Sequence, residues 1–96
     1  MFTLADRIML VDLSNFSLGA TITVYEGGRI MLQHSVPDVS DVEEKTIEVA
    51  NEMEVKNVFI RPLASSDRTK TLEDFENSLA SKNFSKSVDK INFHML

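Results

Sequence analysis

Short apolar segments separated by polar turns fill the first third of the chain, and they predict strands. Residues 8–13 (IMLVDL) are apolar except for Asp12, which is typical of a strand buried on both faces. Residues 20–25 (ATITVY) alternate between apolar and polar positions and predict a half-buried strand. Gly27 and Gly28 predict a hairpin turn, because adjacent glycines accept the positive φ angles of primed turns. Residues 30–34 (IMLQH) then predict the returning strand.

A helical pattern follows Pro37 and Asp38. Ser40 and Glu43 have the spacing of a capping box and predict the start of a helix that ends near Glu54. The residues that share its predicted buried face are Val42, Thr46, Val49, Ala50 and Met53. Residues 58–60 (VFI) predict a buried strand, which Pro62 ends.

The last third of the chain predicts one more helix and one more strand. Residues 64–70 (ASSDRTK) read as a polar loop, and Thr71 with Asp74 three residues later predicts a helix that extends to about Lys82. Its predicted buried stripe is Leu72, Phe75, Leu79 and Ala80. Finally, Ile91, Phe93 and Met95 alternate with polar residues, which predicts a strand near an edge of the sheet.

The predicted order of elements is therefore β-β-β-α-β-α-β. The hairpins give an antiparallel half, and the helical crossovers give a parallel half. We expect one α/β domain over residues 1–96, built on a mixed five-stranded sheet. This order resembles that of the ribonuclease H-like fold, and it also opens each half of the actin-like ATPases.

Two segments are similar to the RuvC/YqgF family of resolvase-like nucleases. In VDLSNFSLGATITVYEGGRI, an apolar strand ends in Asp12, a short polar turn follows, and Gly19 comes seven residues after the aspartate, as in that family. VKNVFIRPLASSDRTKTLEDFENSLASK resembles the family's fourth strand, loop and next helix. The resemblance implies a ribonuclease H-like fold and a site in which several carboxylates bind divalent cations, with Asp12 as the first ligand.

The chain departs from that family where further metal ligands are needed. Arg61 and Pro62 stand at the end of the fourth strand, and residues 91–94 (INFH) contain no acid. One carboxylate cannot hold two cations, so we expect no nuclease activity and no cofactor, with magnesium on Asp12 as the alternative. Residues 12–15 lack the glycine that an ATP-binding phosphate loop needs, which argues against an actin-like ATPase.

Composition restricts the partners and the cellular compartment that we expect. The chain of 96 residues has a net charge of −5 and no cysteine, which disfavours long-range attraction to nucleic acid and excludes disulfides and thiolate metal sites. No apolar run is long enough to span a bilayer, and the first residues (MFTLADR) read poorly as a signal peptide. We therefore expect a cytoplasmic protein that does not act in a membrane.

Individual residues leave alternatives open. Asp12 is a candidate metal ligand or the cap of a turn with Ser14 and Asn15, and the cap is favoured. Arg61 is a candidate phosphate ligand or the partner of Asp12 or Asp67 in a salt bridge, and the salt bridge is favoured. Ser65, Ser66, Asp67 and Arg68 have the position of an active-site loop, although a solvated loop is the simpler interpretation.

Other candidates are less specific. His34 and His94 each lie on the polar side of a predicted alternating strand, without the spacing of a zinc site or a catalytic triad. Lys82, Lys86 and Lys90 surround Phe84, which is typical of either a nucleic-acid contact or a solvated helix end.

Two functional hypotheses follow. The first is a non-catalytic protein-interaction module that binds another copy or another protein through an apolar patch with Phe16, Phe84 or Met95; compact accessory proteins of phages share this profile. The second is a degenerate resolvase-like subunit that binds structured DNA or RNA. Its contacts would be Arg61, Arg68, Lys82, Lys86 and Lys90. A third interpretation is a fragment of a longer enzyme. The missing acids and the acidic composition favour the first.

Overall fold

Five strands and two helices make up the described part of the chain. The computed structural model describes residues 7–14, 19–63, 67–81 and 91–96. The strands are β1 (Arg7–Asp12), β2 (Ala20–Glu26), β3 (Arg29–Val36), β4 (Asn57–Arg61) and β5 (Asn92–Met95). The helices are α1 (Val42–Met53), preceded by a 3-10 turn over Val39–Asp41, and α2 (Arg68–Ser81).

The strands form one mixed sheet in the order β3-β2-β1-β4-β5. β1 pairs with β2 and β2 with β3 in antiparallel fashion, whereas β1 pairs with β4 and β4 with β5 in parallel fashion. The α/β class and the mixed five-stranded sheet predicted from the sequence are confirmed, and the described elements follow one another as β-β-β-α-β-α-β. The first strand in the chain therefore lies at the centre of the sheet, where its two halves meet.

Both described helices lie on the same face of the sheet. Met9 and Val11 are fully buried, whereas Ile8 is 40% exposed and Leu10 is half-buried. The prediction that this strand is buried on both faces is therefore wrong. β1 has a neighbouring strand on each side, but both described helices cover the face that carries Met9. The buried residues of strands and helices form one cluster: Met9, Val11, Ala20, Ile22, Val24, Val36, Val42, Val49, Ala50, Val55, Val58, Ile60, Phe75 and Ile91.

Glycines shape both connections of β2. Gly27 and Gly28 have φ angles of 58° and 82°, as the predicted primed hairpin turn requires. Gly19, just before β2, has a φ of 85° and lies against the end of β3. A Cβ added there would be 2.3 Å from the carbonyl oxygen of Val36, so the backbone approaches too closely for a side chain.

Helix α1 begins differently from the prediction. Asp41 occupies the N-cap position without a side-chain capping bond, and the side chain of Ser40 instead donates to Oδ1 of Asp38 at 2.8 Å. The capping-box interpretation is thus wrong, because Asp38 binds Ser40 in a turn before the helix. Ile47 joins the predicted buried face, and Met53 is only partly buried.

The end of α1 is fixed by a left-handed residue and an arginine. Glu54 has a φ of 58° and closes the helix where glycine is usual. Arg7 donates from Nη1 to the carbonyl oxygen of Met53 at 2.6 Å and from Nε to Glu26 at 2.7 Å. This guanidinium connects the start of β1, the end of β2 and the end of α1.

Helix α2 starts one turn earlier than predicted, at Arg68 instead of Thr71. Asp67 is the reason, because its side chain accepts a hydrogen bond from the backbone of Lys70 at 3.2 Å and so caps the first turn. Phe75 is fully buried, Leu72 and Leu79 are partly buried, and Ala80 is exposed, contrary to the prediction for that alanine. Among the described helices, none is both long and apolar enough to cross a membrane.

Candidate functional site

The carboxyl ends of β1 and β4 bring together the two residues that the sequence singled out most strongly. Asp12 ends β1, Arg61 ends β4, and the parallel register pairs them directly. The backbone nitrogen of Leu13 donates to the carbonyl oxygen of Arg61 at 2.9 Å, which holds the two strand ends together. Parallel strands place such residues side by side, so this edge of the sheet is where the sequence predicts chemistry.

Asp12 is engaged by its own turn. Its Oδ1 accepts the backbone N–H of Ser14 at 2.9 Å and the hydroxyl of Ser14 at 2.5 Å. The hydroxyl bond lowers the pKa of the Asp12 carboxyl below its ordinary value of 3.8; burial opposes this shift, while the backbone bond and the charge of Arg61 add to it. These bonds are those of the turn-capping interpretation. Among the described residues, no group of three or more potential metal ligands gathers around it.

Arg61 makes a loose ion pair with Asp12. Its Nη1 lies 3.9 Å from Oδ2 of Asp12, and its side chain is 55% exposed. The alternative partner, Asp67, caps α2 instead. An ion pair with this separation and exposure contributes little to stability.

The remaining basic candidates are only partly described. Arg68 is exposed as the first residue of α2, and Arg61 is exposed at the end of β4. Ser65 and Ser66 lie outside the described residues, as do Lys82, Lys86 and Lys90 of the predicted basic cluster. The described residues therefore contribute two exposed arginines to the nucleic-acid hypothesis, with Asp12 and Asp67 beside them.

The predicted apolar interaction patch stays a prediction. Phe16 and Phe84 lie outside the described residues, and Met95 is half-buried against the core and pairs in register with Ile60. The sequence could not separate its two roles, because an apolar residue in an edge strand suits a core as well as a partner.

The face of the sheet that carries neither described helix is here called the open face. Register places Ile8 beside Tyr25 and Asn57, and Leu10 beside Thr23 and Phe59. Leu10 and Thr23 at its centre are half-buried and buried, whereas the exposed apolar residues Ile8 and Ile30 lie near the β2–β3 turn. The apolar run of β1 predicts burial on both faces and therefore gives no indication of this face.

Apolar residues define a patch at that end, which we call the β3 patch: the exposed Ile8, Ile30 and Met31, together with the half-buried Tyr25. Ile30 pairs with Tyr25, which in turn pairs with Ile8, so three strands contribute to one row. Ile8 is 40% exposed, Ile30 59% and Met31 47%. Met31 is the extra residue of a bulge between the Leu32–Val24 and Ile30–Tyr25 pairs.

The two histidines lie on opposite faces. His94 is exposed on the open face, stacks on Phe59 with ring centroids 4.8 Å apart, and has Nε2 3.1 Å from Oδ1 of Asn57. His34 pairs with the buried Ile22 and is half-buried on the helix-covered face, so its predicted position on the polar side is wrong. The bulge explains the difference, because one extra residue inverts the alternation along β3.

Comparison of the chain with protein-family models, with curated proteins and with solved structures finds no match.

Proposed function

We propose that this protein is a non-catalytic protein-interaction module on a reduced ribonuclease H-like fold, and that it self-associates. The single observation that carries the proposal is the β3 patch, a row of apolar side chains that three strands expose on one side of the open face. Exposed large apolar groups that lie together are typical of protein contacts, whereas isolated ones are ordinary.

The Asp12 region supports a structural role over a catalytic one. The carboxylate is occupied by its turn, and its strand neighbour is a cation instead of a second acid. Metal-dependent phosphodiester cleavage needs several converging oxygen ligands, and Asp12 alone supplies one. The antiparallel half joined to a parallel half at β1 agrees with descent from a RuvC/YqgF-like domain that has kept the sheet without the metal ligands.

Size-exclusion chromatography with light scattering tests the proposal. The chain is run alone at low and high concentration, and then with a branched DNA and a hairpin RNA at low and moderate salt. We expect self-association that salt does not abolish and no complex with either nucleic acid. A monomer that forms a salt-sensitive complex with nucleic acid would reverse the proposal.

A matched pair of variants assigns the association to the β3 patch. Ile8→Thr combined with Ile30→Thr should weaken it, because both apolar side chains are lost from the row. Leu96→Thr is the control, since Leu96 is 46% exposed but follows β5 at the opposite edge of the sheet. Equal effects of the two proteins would show that general surface hydrophobicity, and not this patch, drives association.

A second candidate function is a degenerate resolvase-like subunit that binds structured nucleic acid. The observation in its favour is the pair of exposed arginines, Arg61 and Arg68, at the end of β4 and the start of α2. Arg61→Ala should then weaken binding of the branched DNA and reduce its dependence on salt concentration. No change in a measured DNA affinity would remove Arg61 from that interface.

A further inference from the structure

Strand β3 presents an edge that lacks the usual protection. It is eight residues long, and none of the described strands pairs with its outer side. Natural edge strands are protected against pairing by charged residues, proline, shortness or bulges. Residues 30–36 (IMLQHSV) contain no lysine, arginine, acid or proline. The other edge strand, β5, has only four residues, so the two edges differ.

The protective features of β3, the charged Arg29 and a bulge, lie near its beginning. The bulge at Met31 interrupts the ladder there, while Leu32–Val36 keep a regular register with β2 from Val24 back to Ala20. Five regular residues remain for pairing on the outer side. Gln33 and Ser35, which alternate with the half-buried Leu32 and His34, are both exposed.

The charged side chains along this edge complement those of a second, identical strand that runs in the opposite direction. Arg29, at the start of β3, is the only charged residue within the strand, and Asp38 follows two residues after its end. Antiparallel pairing of two identical strands places the start of each beside the end of the other. In a symmetric antiparallel pair, one residue of β3 lies opposite itself, and we consider registers in which this residue is Gln33 or His34. In either register, Arg29 of each copy lies within one position of Asp38 of the other copy, so a dimer contains two such contacts.

The same pairing places exposed residues of the second copy beside Met31. In the register centred on Gln33, Met31 lies opposite Ser35 of the second copy; in that centred on His34, it lies opposite Pro37. Parallel pairing would instead bring the two Arg29 side chains together, which is unfavourable. The arrangement therefore suits a second copy in antiparallel orientation.

We propose that two copies of this chain associate by antiparallel pairing of their β3 strands, which joins the two sheets into one of ten strands across a twofold axis. This inference rests on the proposed function and specifies its partner and geometry. The backbone N–H and C=O groups on the outer side of Leu32–Val36 supply the hydrogen bonds, and the Arg29–Asp38 contacts fix the direction.

Hydrogen exchange of the wild-type chain tests the pairing directly. Raising the protein concentration from below to above the dissociation constant should slow exchange of alternate amides in residues 32–36, because pairing buries their outward N–H groups. Amides of β5, at the other edge, serve as the internal control and should not change. Unchanged exchange throughout β3 in a chain that dimerises would overturn the inference.

A charge exchange tests the direction of pairing. Arg29→Glu should raise the dimer dissociation constant by about twofold to thirtyfold, the combined effect of losing two exposed ion pairs. Arg29→Glu with Asp38→Arg should restore much of the affinity, because the complementary charges are exchanged. Lys56→Glu is the control, since it makes the same charge change at an exposed position before β4. Circular dichroism checks that each variant is folded.

The outcomes separate this inference from the proposed function. A dimer that loses affinity with Ile8→Thr/Ile30→Thr, but shows neither β3 protection nor charge rescue, packs face to face; the inference then fails and the interaction module stands. A monomer at high concentration that binds neither nucleic acid also overturns the inference. A monomer that binds nucleic acid overturns both.

Discussion

Replacement of Gly19 by alanine should destabilise the fold far more than the same replacement at Gly28. The two glycines have almost the same φ, 85° and 82°, so an alanine Cβ meets the same backbone strain at either position. They differ in space: a Cβ at Gly19 would lie 2.3 Å from the carbonyl oxygen of Val36 and 2.9 Å from Cα of Pro37, whereas nothing lies within 4 Å at Gly28.

The expected magnitudes follow from these two terms. A left-handed alanine costs about 1–2 kcal/mol, partly offset by about 0.4–1 kcal/mol from its stiffer unfolded chain, so Gly28→Ala should lose about 0.5–1 kcal/mol. Gly19→Ala adds the cost of forcing an atom into a filled space, about 1–3 kcal/mol, for a total of about 1.5–4 kcal/mol. A domain of this length has about 5–14 kcal/mol in total, so both variants should fold.

Urea unfolding followed by circular dichroism measures both free energies of unfolding, and thermal unfolding should show a shift of about 4–8 °C per kcal/mol. The difference between the two variants isolates the close approach of the backbone to the end of β3. Equal losses would refute the reasoning, because they would mean that the Val36–Pro37 backbone moves aside without cost. If neither variant loses stability, the cost assigned to a left-handed alanine is refuted as well.

Three further substitutions test other local features, each by urea unfolding. Glu54→Gly should raise the free energy of unfolding by about 0.5–1 kcal/mol, since glycine adopts the φ of 58° without the strain that an L side chain incurs; a loss would show that the Glu54 side chain stabilises the helix end. Asp12→Asn should destabilise the chain at pH 7. Because the folded pKa of Asp12 lies below 3.8, the carboxylate's contribution is present above that pH and disappears as the pH falls through the folded pKa, so the two proteins should converge in acid. Glu43→Gln should do the reverse: burial raises the pKa of Glu43 above 4.5, so the ionised carboxyl destabilises the fold at pH 7, and the variant should be more stable there but equal to the wild type below pH 4.5. A pH-independent difference in either case would show that titration of that carboxyl does not contribute.

Local patterns predicted most of the architecture. Alternation over residues 20–25 and the adjacent glycines at 27 and 28 predicted a hairpin that the structure contains, because both signals act within a few residues. The element order was also recoverable, since each helix and strand carries its own periodicity. Gly19 contributes to the resemblance to the RuvC/YqgF family, and its packing against Val36 is a separate physical reason for glycine there.

The errors arise where the outcome depends on distant residues or on competing side chains. Whether β1 is covered on one face or two depends on where the helices pack, and an apolar run carries no such information. Ser40 has a predicted capping partner in Glu43, but its side chain binds Asp38, which is nearer in the sequence. Similarly, Asp67 and not Thr71 caps the first turn of α2. The bulge at Met31 inverted the faces of β3, which moved His34 towards the core and left Ile30 and Met31 exposed.

The central position of β1 has a consequence for folding during synthesis. Residues 7–36 contain β1, β2 and β3, whose antiparallel pairs need only local contacts and can form early. The other edge of β1 then stays unpaired until residues 57–61 have emerged and α1 has brought β4 alongside. Until β4 is in place, the nascent chain is expected to be a three-stranded meander with two unpaired edges, and Leu10 and Val11 lie in one of these edges. Chaperone binding should therefore be strongest between the synthesis of β3 and that of β4.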